Sequence, residues 1–394
     1  MPSGPPSRAL MSMSLSSRRI AILSTYPPKL CGLATFAAAL ERALTVAGHR
    51  VDIVRIDDGH DAASSPRPVA GVLVNGVADS IRHAAEVLSR GDVAIIQHEY
   101  GIYGGTDGDE VLDLLDALDV PTIVVLHTVP LHPSANQRSI LASISDRADQ
   151  LVVMSETAKD RLLSRYPVDG RKVSVIPHGA SMPTAVHHDG DLLDGPRPQL
   201  LTWGLLGPGK GIEHTIDALA LLEDLRPRPR YTVAGVTHPK VLAREGDEYR
   251  QSLIRQSWAV GVAGSVIFDD TYRDVAQLTR FVASASVVVL PYDSRDQVTS
   301  GVLVDAIAAG RPVIATAFPH AIELLSTGAG IVVPHGDPIA LAEAIRSVVT
   351  DAPRLSAMAA EARRIAPSLS WSAVAARYVR LSTEVVRAGR PVAI

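Results

Sequence analysis

Cysteine is nearly absent: the 394 residues contain one, Cys31. An intramolecular disulfide and a multi-cysteine zinc site are thereby excluded, and a reducing, cytoplasmic setting is expected. There is no run of about 18 apolar residues to span a membrane. The one apolar stretch near the start, Ile20 to Leu23, is too short for a signal peptide and runs into Tyr26-Pro27-Pro28. Charge of one sign is also lacking. The formal net charge is -4, so no global basic field attracts nucleic acid. Phosphate-loop and dinucleotide fingerprints are absent too; the glycine spacings fit neither.

What is present is a repeating alternation. Apolar residues make up 46 % and charged residues 20 %, a globular balance, and the length suits two domains. A Ser-, Pro- and Met-rich tail over 1–17 is expected to be disordered. Short β-branched strands then alternate with amphipathic helices. Strands are predicted at 19–24, 51–56, 93–97, 122–126, 151–154 and 173–176. Helices are predicted at 33–47, 79–89, 108–118, 134–148 and 156–164. This pattern is a parallel, doubly wound sheet over 18–180. A polar linker follows at 181–198. The alternation restarts over 199–370, with strands at 199–204, 230–234, 265–268, 286–290, 313–315 and 330–333. Its helices are predicted at 211–222, 239–256, 274–282, 300–309, 338–349 and 354–365. A final amphipathic helix over 371–387, with Trp371, Val374, Tyr378, Leu381 and Val385 as its stripe, packs on its own domain or crosses back to the first. The segment 371–394 is assigned to that last element. Two such sheets face a cleft, a frequent ligand site.

The segment 286–314, SVVVLPYDSRDQVTSGVLVDAIAAGRPVI, is the most telling. A buried strand opens into a polar loop that feeds a helix from Ser300, apolar on all sides except at Asp305. A carboxylate there costs several kcal/mol unless something pairs with it. It lies at the carboxyl edge of a parallel sheet, where ligands bind. A second junction, WGLLGPGKG, places Gly207, Lys210 and a helix start after a strand. Free amides, the helix dipole and an ammonium together favour an anion; an ordinary strand–turn–helix junction reads the same way.

At the first strand's end, Gly32 lets backbone approach a ligand. Cys31 has little basic company beyond Lys29, so a nucleophilic role is not favoured. His127 closes the strand TIVVL and faces the cleft, as a hydrogen-bonding or proton-transfer group or as a satisfied core histidine. His98 and Tyr100 close another strand, and with Tyr26 they mark the acceptor side. Ile176-Pro177-His178-Gly179 marks the hinge. Asp107-Gly108-Asp109-Glu110 reads as a helix N-cap and acidic first turn, not a metal cluster. No metal and no other cofactor are expected.

The order of these pieces resembles the retaining glycosyltransferases of the GT-B fold, specifically glycosyltransferase family 4, over about residues 19–388. The residues that carry it are the Gly32 loop, His127, IPHG, WGLLGPGKG, TSGVLVDAIAAGRPVIAT and the terminal LSWSAVAARYVRL. The resemblance implies two Rossmann-like domains and a C-terminal helix that crosses back. It implies a UDP- or GDP-hexose donor, held by Lys210 and by the amides of Thr299, Ser300 and Gly301 at the diphosphate. Asp305 would hold the ribose, and His127 would face the transferred sugar. The family's pair of glutamates falls here on Gln297 and Asp305, with Asp296 next door as a replacement for the first. The family's arginine in the diphosphate loop is Leu205. The implied reaction is retaining transfer without metal, to a glycan, lipid-linked or small-molecule acceptor; contact with a membrane surface stays open for a lipid acceptor. Rival readings are a non-catalytic nucleotide-sugar or glycan-binding protein of the same fold, and an epimerase or phosphorylase.

Overall fold

A computed structural model describes residues 17–29, 31–57, 68–183 and 197–389. Most of the expected tail and linker lies outside these residues. The first sheet has seven strands: β1 (Arg19–Ser24), β2 (Arg50–Asp57), β3 (Val69–Val74), β4 (Val93–His98), β5 (Thr122–Leu126), β6 (Gln150–Val153) and β7 (Val173–Val175). The second has six: β8 (Gln199–Trp203), β9 (Arg230–Ala234), β10 (Val266–Asp269), β11 (Val287–Leu290), β12 (Val313–Thr316) and β13 (Gly330–Val333). The orders are β3-β2-β1-β4-β5-β6-β7 and β10-β9-β8-β11-β12-β13. Every pairing is parallel. Each order reverses once, between β1 and β4 and between β8 and β11. Those switch points open the crevices where open α/β sheets bind ligands.

The first-domain helices are α1 (Gly32–Val46), α2 (Ala78–Leu88), α3 (Val111–Asp116), α4 (Ala135–Arg147) and α5 (Glu156–Arg165). The second domain holds α6 (Ile212–Ala220), α7 (Pro239–Glu245), α8 (Glu248–Ala259), α9 (Val275–Ala283), α10 (Gly301–Ala308), α11 (Pro319–Leu325), α12 (Pro338–Val349) and α13 (Ala352–Ile365). The last helix, α14 (Trp371–Ala388), crosses back. Its Val374, Tyr378 and Leu381 join Ile20, Phe36, Leu40 and Ile95 in one apolar cluster. The chain changes domain twice at one place: Ala180 N donates to Leu369 O (2.8 Å) and Trp371 N to Ala180 O (3.2 Å).

Four sequence expectations change, one of them at α11, a short helix not foreseen. β3 was not foreseen; Gly71 interrupts its apolar run, and the strand sits at the sheet's edge with most of its residues only half-buried. The helix expected over 239–256 is two, broken where Gly246 takes φ +66°, a conformation that favours glycine. The acidic run before α3 does not cap it. Asp109 accepts from Thr106 N, and Glu110 accepts from Gly76 N and Gly104 N, so both carboxylates fasten the loop after β4 instead.

Candidate active site

The donor half of the cleft is built at the β8/β11 switch. Between β8 and α6 the chain turns through Gly204, Gly209 and Gly211. At Gly211 φ is +62°, and an added Cβ would lie 1.8 Å from the Pro291 carbonyl, so only glycine fits. Asp293 N donates to Gly209 O (3.1 Å), tying the glycine loop to the loop after β11. The Lys210 ammonium then rests 4.7 Å from the centroid of the Tyr292 ring, itself stacked on Phe318. Burial lowers the Lys210 pKa, and no carboxylate pairs with it among the described residues. A desolvated cation on an aromatic face without a counterion is a receptor for an anion. Leu205, half-buried, supplies no second cation.

Across the loop, Ser300 caps α10 by accepting from Leu303 N. Its own amide is already used: Ser300 N donates to His320 Nδ1 (2.9 Å). Of the three amides expected at the diphosphate, that of Ser300 is therefore committed to a side chain. His320 is 4 % exposed, and burial lowers it to about 4. The imidazole is neutral, so with Nδ1 accepting, the proton sits on Nε2. Gln297 spends its amide on Thr299 O (3.0 Å). The Thr299 hydroxyl is buried without a partner. The Asp296 side chain is exposed while its carbonyl accepts from Arg161 Nη1 (2.8 Å). Gly207 is buried, with an added Cβ meeting only Val241 at 3.2 Å. Asp305 has no hydrogen-bond partner for its carboxyl among the described residues, and burial pushes it up to about 7.

The first domain supplies the opposite wall. His127 Nε2 lies 2.6 Å from Gln97 Oε1. Its ring stands edge-on to Phe36. Burial first, then His178 and His98, lower it to about 3. His178 stands edge-on to the same Phe36. Its Nδ1 donates to Gly179 O (2.7 Å), leaving Nε2 as an acceptor. That Nε2 would lie 2.9 Å from a Cβ added at Gly301. His178, assigned only to the hinge by sequence, thus brings the first domain onto the start of α10.

Other expected acceptor residues point elsewhere. His98 is fully buried against Tyr100 and Tyr103 with both ring nitrogens unpartnered. Tyr100 OH donates to Gln137 O (3.3 Å) and Tyr26 OH to Glu41 Oε2 (3.4 Å). Gly32, expected to bind the donor, opens α1 at an exposed position, with nothing within 4 Å of an added Cβ. His320 and Arg161 were missed, His178 was read only as hinge, and Glu99 only as part of the loop His98-Glu99-Tyr100-Gly101 facing the cleft. Their partners lie far away in sequence, and no local spacing marks them.

A model described as Glycosyltransferase Family 4 matches residues 31–182, and one described as Glycosyl transferases group 1 matches 186–365. The chain belongs to the family 4 glycosyltransferases of the GT-B fold. A D-inositol 3-phosphate glycosyltransferase of Corynebacterium kroppenstedtii is 25 % identical over 303 residues, 70 % of this chain and 64 % of that protein. The chain thus spans less than two thirds of that relative. One from Rhodococcus opacus is 26 % identical, over 90 % of this chain and 87 % of its own. Among solved structures, Anabaena HepE with UDP-glucose matches with TM-score 0.71 at 18 % identity, covering 93 % of this chain and all of that one. Sucrose-phosphate synthase of Thermosynechococcus elongatus matches with TM-score 0.72 at 20 % identity, covering 94 % of this chain and all of its own. At these identities the structural matches speak for the fold.

Proposed function

We propose that the cleft moves a hexose from a UDP- or GDP-hexose to an acceptor hydroxyl, with retention and without metal. The observation that carries this reading is Lys210: a half-buried ammonium on an aromatic ring, with no counterion among the described residues, facing the loop that leads to the unpartnered Asp305. The diphosphate neutralises the first and the ribose hydroxyls satisfy the second.

In the reaction the bond from C1 to the phosphate oxygen breaks as the bond from the acceptor oxygen to C1 forms on the same face. The acceptor proton passes to the departing phosphate oxygen. Lys210 and the remaining free amides at the α10 N-terminus stabilise the charge that develops there. His127, neutral at pH 7, orients the transferred sugar by hydrogen bonding.

Among the described residues, one group has metal-ligand spacing: Glu213, His214 and Asp293, with donor atoms within 4.8 Å of one another. It is partly exposed and internally bonded, His214 Nε2 lying 3.1 Å from Asp293 Oδ1, and the transfer does not use it. A second reading, nucleotide-sugar binding without turnover, draws on Gln297 and Leu205.

Calorimetric titration with UDP, GDP and ADP in the presence of a chelator, on wild type, Lys210→Ala and Asp305→Ala, tests the site. Selective binding that both variants lose supports it; no binding by the folded wild type counts against it. Turnover of the matching sugar donor separates transfer from binding alone.

A further inference from the structure

The acceptor wall of the cleft has an unusual charge balance. The first-domain loops at the carboxyl edge of the sheet, after β1, β3, β4 and β5, span 24–31, 75–77, 99–110 and 127–134. Their described residues carry four carboxylates, Glu99, Asp107, Asp109 and Glu110, against one cation, Lys29. Arginines on the adjoining helices are already bonded to backbone carbonyls, Arg161 to one of the wall's own, that of Val129. Arg138 donates to Arg165 O and lies over the Tyr166 ring. Arg161 donates to the carbonyls of Val129 (2.9 Å) and Asp296 (2.8 Å).

Glu99 stands where β4 meets this wall. One oxygen accepts from Tyr100 N (3.0 Å) and the other from the hydroxyl of Thr128, the neighbour of His127. Burial raises its pKa. Beside it, Gln97 points its amide oxygen at His127, and its Nε2 is fully buried with no partner. An orphaned amide donor demands an acceptor oxygen. A neutral imidazole, an amide and a carboxylate are the groups that recognise hydroxyls. A phosphate needs cations or free amides, and beside a half-buried carboxylate it meets like charge at low dielectric.

We propose that the acceptor is an uncharged polyol, a sugar or cyclitol presenting free hydroxyls, and that Glu99 excludes phosphorylated acceptors. This rests on the transferase reading above. It sets the chain apart from its relatives, the D-inositol 3-phosphate glycosyltransferases.

The test measures nucleotide release from the sugar donor by the full chain, with acceptors offered in pairs: myo-inositol and inositol 3-phosphate, glucose and glucose 6-phosphate. Wild type is expected to use the neutral member about tenfold better, as kcat/KM. In Glu99→Gln, whose oxygen still accepts from Tyr100 N while its amide donates to the Thr128 hydroxyl in a reversed bond, the phosphorylated member is expected to gain through a lower KM, so that the gap narrows. A purely structural role for Glu99 would lower activity on both members alike. Equal or better use of the phosphorylated member by wild type overturns the proposal, as does an unchanged ratio in the variant. A panel in which no neutral polyol speeds release, while the nucleotide still binds, also overturns it. Absence of nucleotide binding strikes the transferase reading instead. If Glu99→Gln does not fold, the wild-type panel decides alone.

Discussion

Glu323, on α11 of the second domain, closes the first turn of α5 in the first domain. Its carboxylate accepts from Glu156 N (2.9 Å), Thr157 N (2.8 Å) and Thr157 Oγ1 (2.7 Å). A capping carboxylate normally comes from a helix's own flank; here one domain supplies it to the other. Two further contacts flank it, Ser155 Oγ to Val298 O (2.8 Å) and Arg161 to Asp296 O. The donor loop is therefore held against the acceptor domain by α5.

Glu323→Ala is expected to loosen this seam by about 1–2 kcal/mol, the worth of a helix cap. The loss should appear as a larger radius of gyration by small-angle scattering and a lower kcat/KM, with each domain's fold unchanged by circular dichroism.

Lys210→Ala removes the half-buried cation that rests on the Tyr292 ring in the donor site. Nucleotide diphosphate affinity should fall about tenfold or more, while the nucleoside, lacking phosphates, should bind the two proteins alike. The contrast between the two titrations is the check. Gly211→Ala should destabilise the domain outright, because its Cβ would fall on the Pro291 carbonyl.

Asp305 bears a cost that a ligand relieves. Its folded pKa of about 7 lies above the ordinary 3.8, so the folded chain holds the proton more tightly than the unfolded one. Its contribution to stability is full below pH 4 and is lost as pH rises through 7. Asp305→Asn should raise the melting temperature at pH 8 and weaken nucleotide binding. A variant that melts lower and binds equally well would refute the assignment.

Most of the architecture was legible because β-branched runs and helix periodicity are local signals. Strand positions and the stray carboxylate Asp305 came from them directly. β3 escaped since Gly71 breaks its run. The site was legible only where glycine, lysine and a helix start are adjacent in sequence, as around Lys210. His320, Glu323, Arg161 and His178 act on partners brought close only by the fold; Ser300 and His320 meet because β12 lies beside β11. Tyr26 and Tyr100 were misjudged in direction: each lies in a loop at a strand end, but its hydroxyl turns back onto its own domain.

Four histidines give the opposite pH response. His98, His178 and His320 are lowered to about 4 and His127 to about 3, in each case first by burial. Unfolded histidines titrate near 6.5. Below that value the unfolded chain takes up protons that the folded chain refuses, so stability is lost as pH falls from about 6.5 toward 4. Asp305 and Glu99, both raised first by burial, oppose this. Melting temperature should drop on acidification through this window, with a shallower slope in His178→Asn.

The double crossing at Ala180 and Ser370 has a consequence for synthesis. The second domain is in effect an insertion within the first: everything from 199 to 370 is made before the first domain receives α14. Until Val374 and Tyr378 leave the ribosome, the apolar face around Phe36 and Leu40 lacks the helix that covers it. The domain that begins the chain is the last to be finished, and a nascent chain stalled before residue 371 presents that open face to chaperones.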